Sequence, residues 1–210
     1  MIFKLFACEI LFREICAMAS ASPHRIDLGF LPKGLHDLGK KKMQTRLSAA
    51  LDTVDETQYD AVLFAYGLCN GGTTGLTART IPLVIPRAHD CITLFLGSRQ
   101  RYENYFFSNP GTYFKTTGWI ERGDTLNQYL EIMPFYQKLA FIETGIEPND
   151  SFERATRQLA GERNWQYEKI QGDLTLLSGL LSGEWNSDFL VVQPGQTVTS
   201  SYDNEVLTAT

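Results

Sequence analysis

No stretch of this sequence approaches the roughly 18 consecutive apolar residues that cross a bilayer, so no membrane span is expected. The apolar opening MIFKLFACEILFREICAM is interrupted by Glu9, Arg13 and Glu14. A secretory signal needs an unbroken apolar core and a small-residue cleavage site. A basic excess is also lacking: the formal net charge is −5 and the pI is near 5.2. That balance argues against a nucleic acid or an anionic membrane as a partner held by bulk charge. The chain has no CxxC pair, no GK[ST] phosphate loop, no GxGxxG and no Ser nucleophile elbow. The short motifs that mark nucleotide sites and α/β-hydrolases are therefore missing. With no export signal, the four cysteines are expected to be reduced in a cytoplasmic protein. What is present is ordinary for a globular chain: 210 residues, 43% hydrophobic and 20% charged, enough for one substantial core or two small lobes.

Apolar runs and amphipathic stretches alternate along the chain. Phe3 to Cys8, Ile26 to Leu31, Ala61 to Ala65 and Leu83 to Ile85 read as strands in the first half, with helices over Ile10 to Ala19, Lys41 to Val54 and Thr93 to Phe107. The glycines Gly67, Gly71, Gly72 and Gly75 follow the third strand, and a short helix to Arg79 is expected after them. Residues 108–125 read as an aromatic-rich loop with Tyr113, Phe114 and Trp119, either a lid or an inter-lobe packing loop. Beyond it, helices are expected at Thr125 to Tyr136, Ser151 to Asn164 and Leu174 to Leu181, with strands at Leu139 to Glu143, Tyr167 to Ile170 and Phe189 to Val192. The tail after Tyr202 is polar and reads as frayed. The fold class is α/β, a Rossmann-like, mostly parallel sheet with helices on both faces. Residues 1–107 and 126–210 form either one doubly wound sheet or two similar lobes.

In such a sheet the carboxyl ends of the parallel strands gather ligand-binding loops on one edge. Cys8, Cys69 and Cys91 each follow a strand-like run, His89 stands two residues before Cys91, and His36 follows another strand. With a strand order of 2-1-3-4, the three cysteines meet at the switch point. Three thiolates with a histidine suit zinc, and three thiolates alone suit an iron–sulfur cluster. Without metal, Cys91 beside Asp90 is the best single nucleophile, with His89 as its catalytic partner. The metal set is thus Cys8, Cys69, His89 and Cys91, and Asp90 is expected to orient a histidine ligand. Cys16 lies mid-helix with Phe12, Ile15 and Ala19 and reads as a buried bystander. Gly67, Gly71 and Gly72 either cradle an anion or only make a turn. Arg87, Ser98 and Arg99 are further candidates for cofactor binding, Ser98 as a helix cap and Arg99 with Arg101 as a clamp for a carboxylate or phosphate, against a plainly solvated Arg99 and Arg101 pair. Glu143 and Gln193 end later strands that could face the same crevice.

Taken together, ACEIL, YGLCNGGTTGL, PLVIPRAHDC, LFLGSR and NPGTYFKTTGW resemble an uncharacterised family, a domain of unknown function found in methanogenic archaea and anaerobic bacteria. Its members are often encoded beside corrinoid-dependent methyltransferases. The resemblance is strongest from Tyr59 to Trp119. It implies a role in one-carbon or methyl-group metabolism, as a methyltransferase or a methyl-transfer accessory, with a corrinoid protein as partner and a small-molecule substrate. The alternative is a binding module that holds a metal, an iron–sulfur cluster or a cofactor without turnover.

Overall fold

Ile2–Cys8 forms strand β1, and its sequence IFKLFAC buries every residue from Leu5 to Cys8, as expected of a parallel strand covered on both faces. The computed structural model describes residues 1–123, 135–201 and 203–210. Helix α1 (Phe12–Ala21), β2 (Arg25–Leu31), α2 (Lys40–Asp52), β3 (Ala61–Ala65), β4 (Leu83–Pro86) and α3 (Cys91–Leu96) follow in chain order. Next come α4 (Arg99–Ser108), β5 (Thr112–Lys115), α5 (Thr117–Glu121), β6 (Lys138–Glu143), α6 (Ser151–Glu162) and β7 (Gln166–Gln171). The last elements are α7 (Thr175–Ser182), β8 (Phe189–Val192), β9 (Val198–Ser200) and β10 (Leu207–Ala209).

The main sheet has the order β2-β1-β3-β4-β8. Its first four strands are parallel, and β8 is antiparallel to β4. Cys8 pairs with Leu31 of β2, and its neighbour Ala7 pairs with Ala65 of β3, so three strands finish level with one another. Helices flank this sheet; α1 and α7 pack on each other beside it. A second, three-stranded parallel sheet has the order β5-β6-β7. Strand β6 is buried on both faces: Leu139 joins a small cluster with Tyr113 and Ala160, while Ala140 and Ile142 join the main core. The second sheet is thereby fused to the first through packed apolar side chains.

Several elements differ from the sequence-based expectation. Residues 126–210 do not form a separate half, because β8 and the β9–β10 hairpin return to the first sheet. The aromatic stretch 108–125 contains β5 and α5. Strand β5 is short and bounded by turn residues, which hides it from a periodicity reading. The helix expected over 93–107 is broken at Gly97, where φ is 81°, and Ser98 caps the next helix by accepting from Arg101 N–H at 3.2 Å. No helix follows the glycine segment: residues 69–75 make turns, and Thr77 then bridges to Thr197. The tail folds as a hairpin around buried Val206 and Leu207. The helix expected over Thr125 to Tyr136 falls almost wholly outside the described residues. Among the described residues no helix is long and apolar enough to cross a membrane.

Candidate functional site

The carboxyl edge of the main sheet opens into a cavity of about 690 Å³, a size suited to a small organic ligand. Its floor is made by Cys8 at the end of β1, Tyr66 and Cys69 after β3, and His89, Asp90 and Cys91 after β4. Tyr113, Phe114 and Tyr136 reach it from the second sheet's side, and Tyr102 and Phe106 come from α4. Lys33, His36 and Trp119 complete one side. Strand ends far apart in sequence thus meet at one edge, for the reason that open parallel sheets place ligands there.

The backbone that carries the thiols is tied together. Leu68 N–H donates to Ala88 O at 2.7 Å, and Cys69 N–H to His89 O at 2.9 Å, so the turn after β3 is stitched to the turn after β4. That approach needs a glycine at 67: a Cβ there would sit 2.7 Å from both Ala88 O and Asp90 N. Cys69 and Asn70 then adopt left-handed φ values of 46° and 57°, a conformation that costs an L-residue of order 1–3 kcal/mol and is concentrated at working sites. Gly71 continues the same turn, and Gly72 N–H closes it onto Cys69 O at 3.0 Å.

Burial dominates the behaviour of all three thiols. Burial pushes Cys8 up to about 11, opposed by the Ile10 N–H. Burial pushes Cys69 up to about 12, helped by the charge of Asp90 and of Cys8 and opposed by the N–H groups of Gly67 and Cys91. Cys91 is raised well above the ordinary range by burial first, then by Asp90, Cys69 and Cys8. All three are therefore neutral thiols at physiological pH in this arrangement. Tyr66 stands among them: burial drives its phenol well up, with contributions from Cys8, Cys69 and Cys91. Its hydroxyl is buried without a hydrogen-bond partner among the described residues. Among the described residues, no group of three or more His, Cys, Asp or Glu side chains is arranged to hold a metal ion.

Other predicted residues divide into those at the cavity and those elsewhere. His89 lines it, stacks on Tyr102 with ring centroids 5.6 Å apart, and reaches Glu103 at 3.5 Å. Asp90 does not bond a histidine ring. Its Oδ1 caps α3 by accepting from Ile92 N–H and Thr93 N–H, and its Oδ2 accepts from Tyr102 O–H at 3.0 Å. The sequence reading gave Asp90 to a histidine and foresaw neither its cap on α3 nor its grip on Tyr102. His36 lines the cavity but turns Nδ1 to Lys33 O at 2.7 Å and Nε2 to Asp37 at 3.0 Å. Gly71 lines the cavity, whereas Gly72 packs against Met43.

Arg87 and Arg99 are outside the lining, with side chains only 16% and 19% exposed. Both hold the C-terminal hairpin, Arg87 through Glu205 at 3.1 Å and the carbonyl of Leu207, Arg99 through Glu205 at 3.9 Å and the carbonyl of Asn204, and Arg99 also reaches Asp188 before β8 at 3.8 Å. Ser98 is spent on its cap. Glu143 pairs with Lys169 at 2.6 Å beside a smaller acidic pocket, and Gln193 lies away from the cavity. Cys16 is apart from the cavity too, but the buried face of α1 is Glu14 and Ile15, while Phe12 is 42% exposed and packs at a tilt on Phe30. The sequence reading missed Tyr66 and Tyr102. Tyr66 was within reach, since it opens the YGLC run one step past a fully buried strand.

No curated protein and no solved structure matches the chain. A family match, by contrast, spans residues 30–181 and so takes in β3, β4, both glycine-flanked turns, Cys69, His89 and Cys91. On that match, which covers well over half of its length, the chain belongs to the family of proteins of unknown function designated DUF1638.

Proposed function

We propose that the cavity is the small-molecule site of a protein of one-carbon, methyl-group metabolism, worked by a soft metal ion gripped by Cys8, Cys69 and Cys91 with His89. Zinc is the first candidate. One observation carries this reading: three cysteines from three strand ends reach one cavity, where Cys8 disfavours ionisation of Cys69 and both disfavour ionisation of Cys91. Neutral thiols are weak nucleophiles. A divalent ion among them reverses that balance, because its charge favours the thiolate form. The donor set of soft thiols and an imidazole fits zinc chemically. Since no three of these side chains stand ready around one point, binding requires them to swing together.

When bound, zinc supplies an activated thiolate or substrate thiol able to accept a methyl group. The chain's own residues supply the setting. Asp90 fixes Cys91 at the start of α3 and holds Tyr102 in the wall. The aromatic side chains of α4 and the second sheet keep water from the thiols. A corrinoid protein as methyl donor is the partner implied by the family resemblance, and it belongs to this proposal.

Anaerobic purification followed by elemental analysis tests the reading. The expected result is about one zinc per chain, lost in Cys8→Ser, Cys69→Ser and Cys91→Ser and kept in Cys16→Ser. Iron with visible absorption would replace zinc by an iron–sulfur cluster. Folded, metal-free protein of unchanged thermal stability would overturn the metal reading.

A further inference from the structure

Two groups at the cavity have hydrogen-bonding capacity that the described residues leave unused. Tyr66 is 3% exposed and its hydroxyl has no partner among the described residues, and the Nε1–H of Trp119, also a lining residue, is buried without one among them. A buried polar atom left unsatisfied is unfavourable, and such atoms are few in native proteins. Two at one cavity point to a ligand that completes them. Trp119 is donor-only, so the completing group is an acceptor. The acidic group at this edge does not compete, because Asp90 already accepts from two backbone N–H groups and from Tyr102.

The walls specify the rest of the ligand. His89, Tyr102 and Phe106 form a ladder of near-parallel rings, with centroid spacings of 5.6 and 5.9 Å and interplanar angles of 27° and 13°. The ladder runs from the turn that carries Cys91 to Phe106, which is 50% exposed. Tyr113 and Phe114 of the second sheet also line the cavity. Aromatic walls of this kind favour a ring that presents a π face, over and above the area it buries.

We propose that the cavity takes a planar, conjugated ligand bearing a carbonyl or carboxylate acceptor, which Tyr66 and Trp119 recognise while its ring lies against the His89–Tyr102–Phe106 ladder. This deepens the preceding reading by naming the ligand class, and it rests on the cavity being the functional site, not on the metal. A residue that contacts only ligand gains nothing for the free protein. Tyr66→Phe, which deletes one unsatisfied oxygen and keeps the ring, therefore leaves the thermal midpoint unchanged or raises it.

Calorimetric titration with 2-naphthoate and with its saturated counterpart, decahydro-2-naphthoate, is the test. The conjugated acid should bind at least roughly five-fold tighter, the range of an aromatic contact. Tyr66→Phe should weaken 2-naphthoate roughly ten-fold, as expected for a lost hydrogen bond to a charged acceptor, without lowering the thermal midpoint. Equal affinity for the two acids, no binding of 2-naphthoate, or an unchanged affinity in Tyr66→Phe would each overturn the proposal. Zinc content measured on the same samples separates the two readings. Metal-free protein that discriminates between the acids removes the metal and keeps this inference, and zinc-loaded protein that binds neither acid does the reverse.

Discussion

Glu14 is 1% exposed on α1, and its Oε2 has no partner among the described residues, while its Oε1 accepts from the Thr144 hydroxyl at 3.0 Å. That hydroxyl is also 3.1 Å from Glu147 and has one proton for two carboxylates. Burial raises the Glu14 carboxyl from 4.5 to about 6, with Glu147 adding and Thr144 and Arg13 opposing. The folded state thus holds this proton more tightly than the unfolded chain does. Its contribution is fully present below about pH 4.5 and is lost as pH rises through about 6. At neutral pH the ionised group costs about 2 kcal/mol, taking about 1.4 kcal/mol per unit. Glu14→Gln should therefore be more stable than wild type by about that amount at pH 7.5 and no more stable at pH 4. Urea unfolding at the two values checks it, and an equal gain at both would refute the assignment. The thiols give a second residue-scale expectation. With Cys8 at about 11, metal-free protein has very little thiolate there at pH 7.5. Iodoacetamide should label Cys8 at least ~10-fold more slowly than a free cysteine peptide, as read by mass spectrometry. Rapid labelling would place Cys8 in an exposed, polar setting.

At the scale of elements, two glycines mark where segments touch through their backbones. A Cβ at Gly118 would fall onto the carbonyl of Ile10, so α5 can dock on the turn after β1 only with glycine at that position. Gly118→Ala should cost about 3 kcal/mol or more in chemical unfolding, since backbone cannot give way as a side chain can. Gly67→Ala should cost a similar amount and also part the Cys69 turn from the Cys91 turn, lowering affinity for any ligand that needs both. Loss of stability with affinity intact would show that the two turns are not coupled. Sequence pattern revealed the strands of the main sheet and the arrival of Cys8, Cys69 and Cys91 at its edge, because buried apolar runs and strand-end positions are local signals. The glycine of YGLC was visible as a turn, whereas that of TTGW read as part of a loop and lies in α5; what each one packs against lies at Ala88 and Ile10, distant in sequence. Arg87 and Arg99 were misplaced for a related reason. Their partners, Asp188, Glu205 and the hairpin carbonyls, lie about ninety residues or more downstream, and nothing in an arginine-rich run announces an internal partner.

For the molecule as a whole, the C-terminal hairpin belongs to the structural frame. Val198, Val206 and Leu207 are at most 2% exposed, and Arg87 and Arg99 hold the turn between its strands. Burying side chains of this kind contributes about 1.5–3 kcal/mol each. Removal of residues 197–210 should consequently cost several kcal/mol, enough to leave a domain of ordinary stability largely unfolded. Circular dichroism and a thermal scan would show it, and a truncated protein melting at the wild-type temperature would return the hairpin to the status of a frayed tail. Deleting the hairpin should also disturb the cavity only through this loss of stability, because none of its described residues lines it.

The edge strand of the main sheet comes from residues 189–192, and it pairs with residues 83–86 after the chain has built the whole second sheet in between. Contacts closed over such a sequence distance form slowly, since the chain entropy must be lost before they reward it. On the ribosome, β4 therefore waits with one edge open until nearly the full sequence has emerged. An open, apolar edge is a template for pairing with another chain. Synthesis at high concentration should then favour aggregates seeded by the LVIP segment, and a holding chaperone acting on nascent chains would have its first task at that strand.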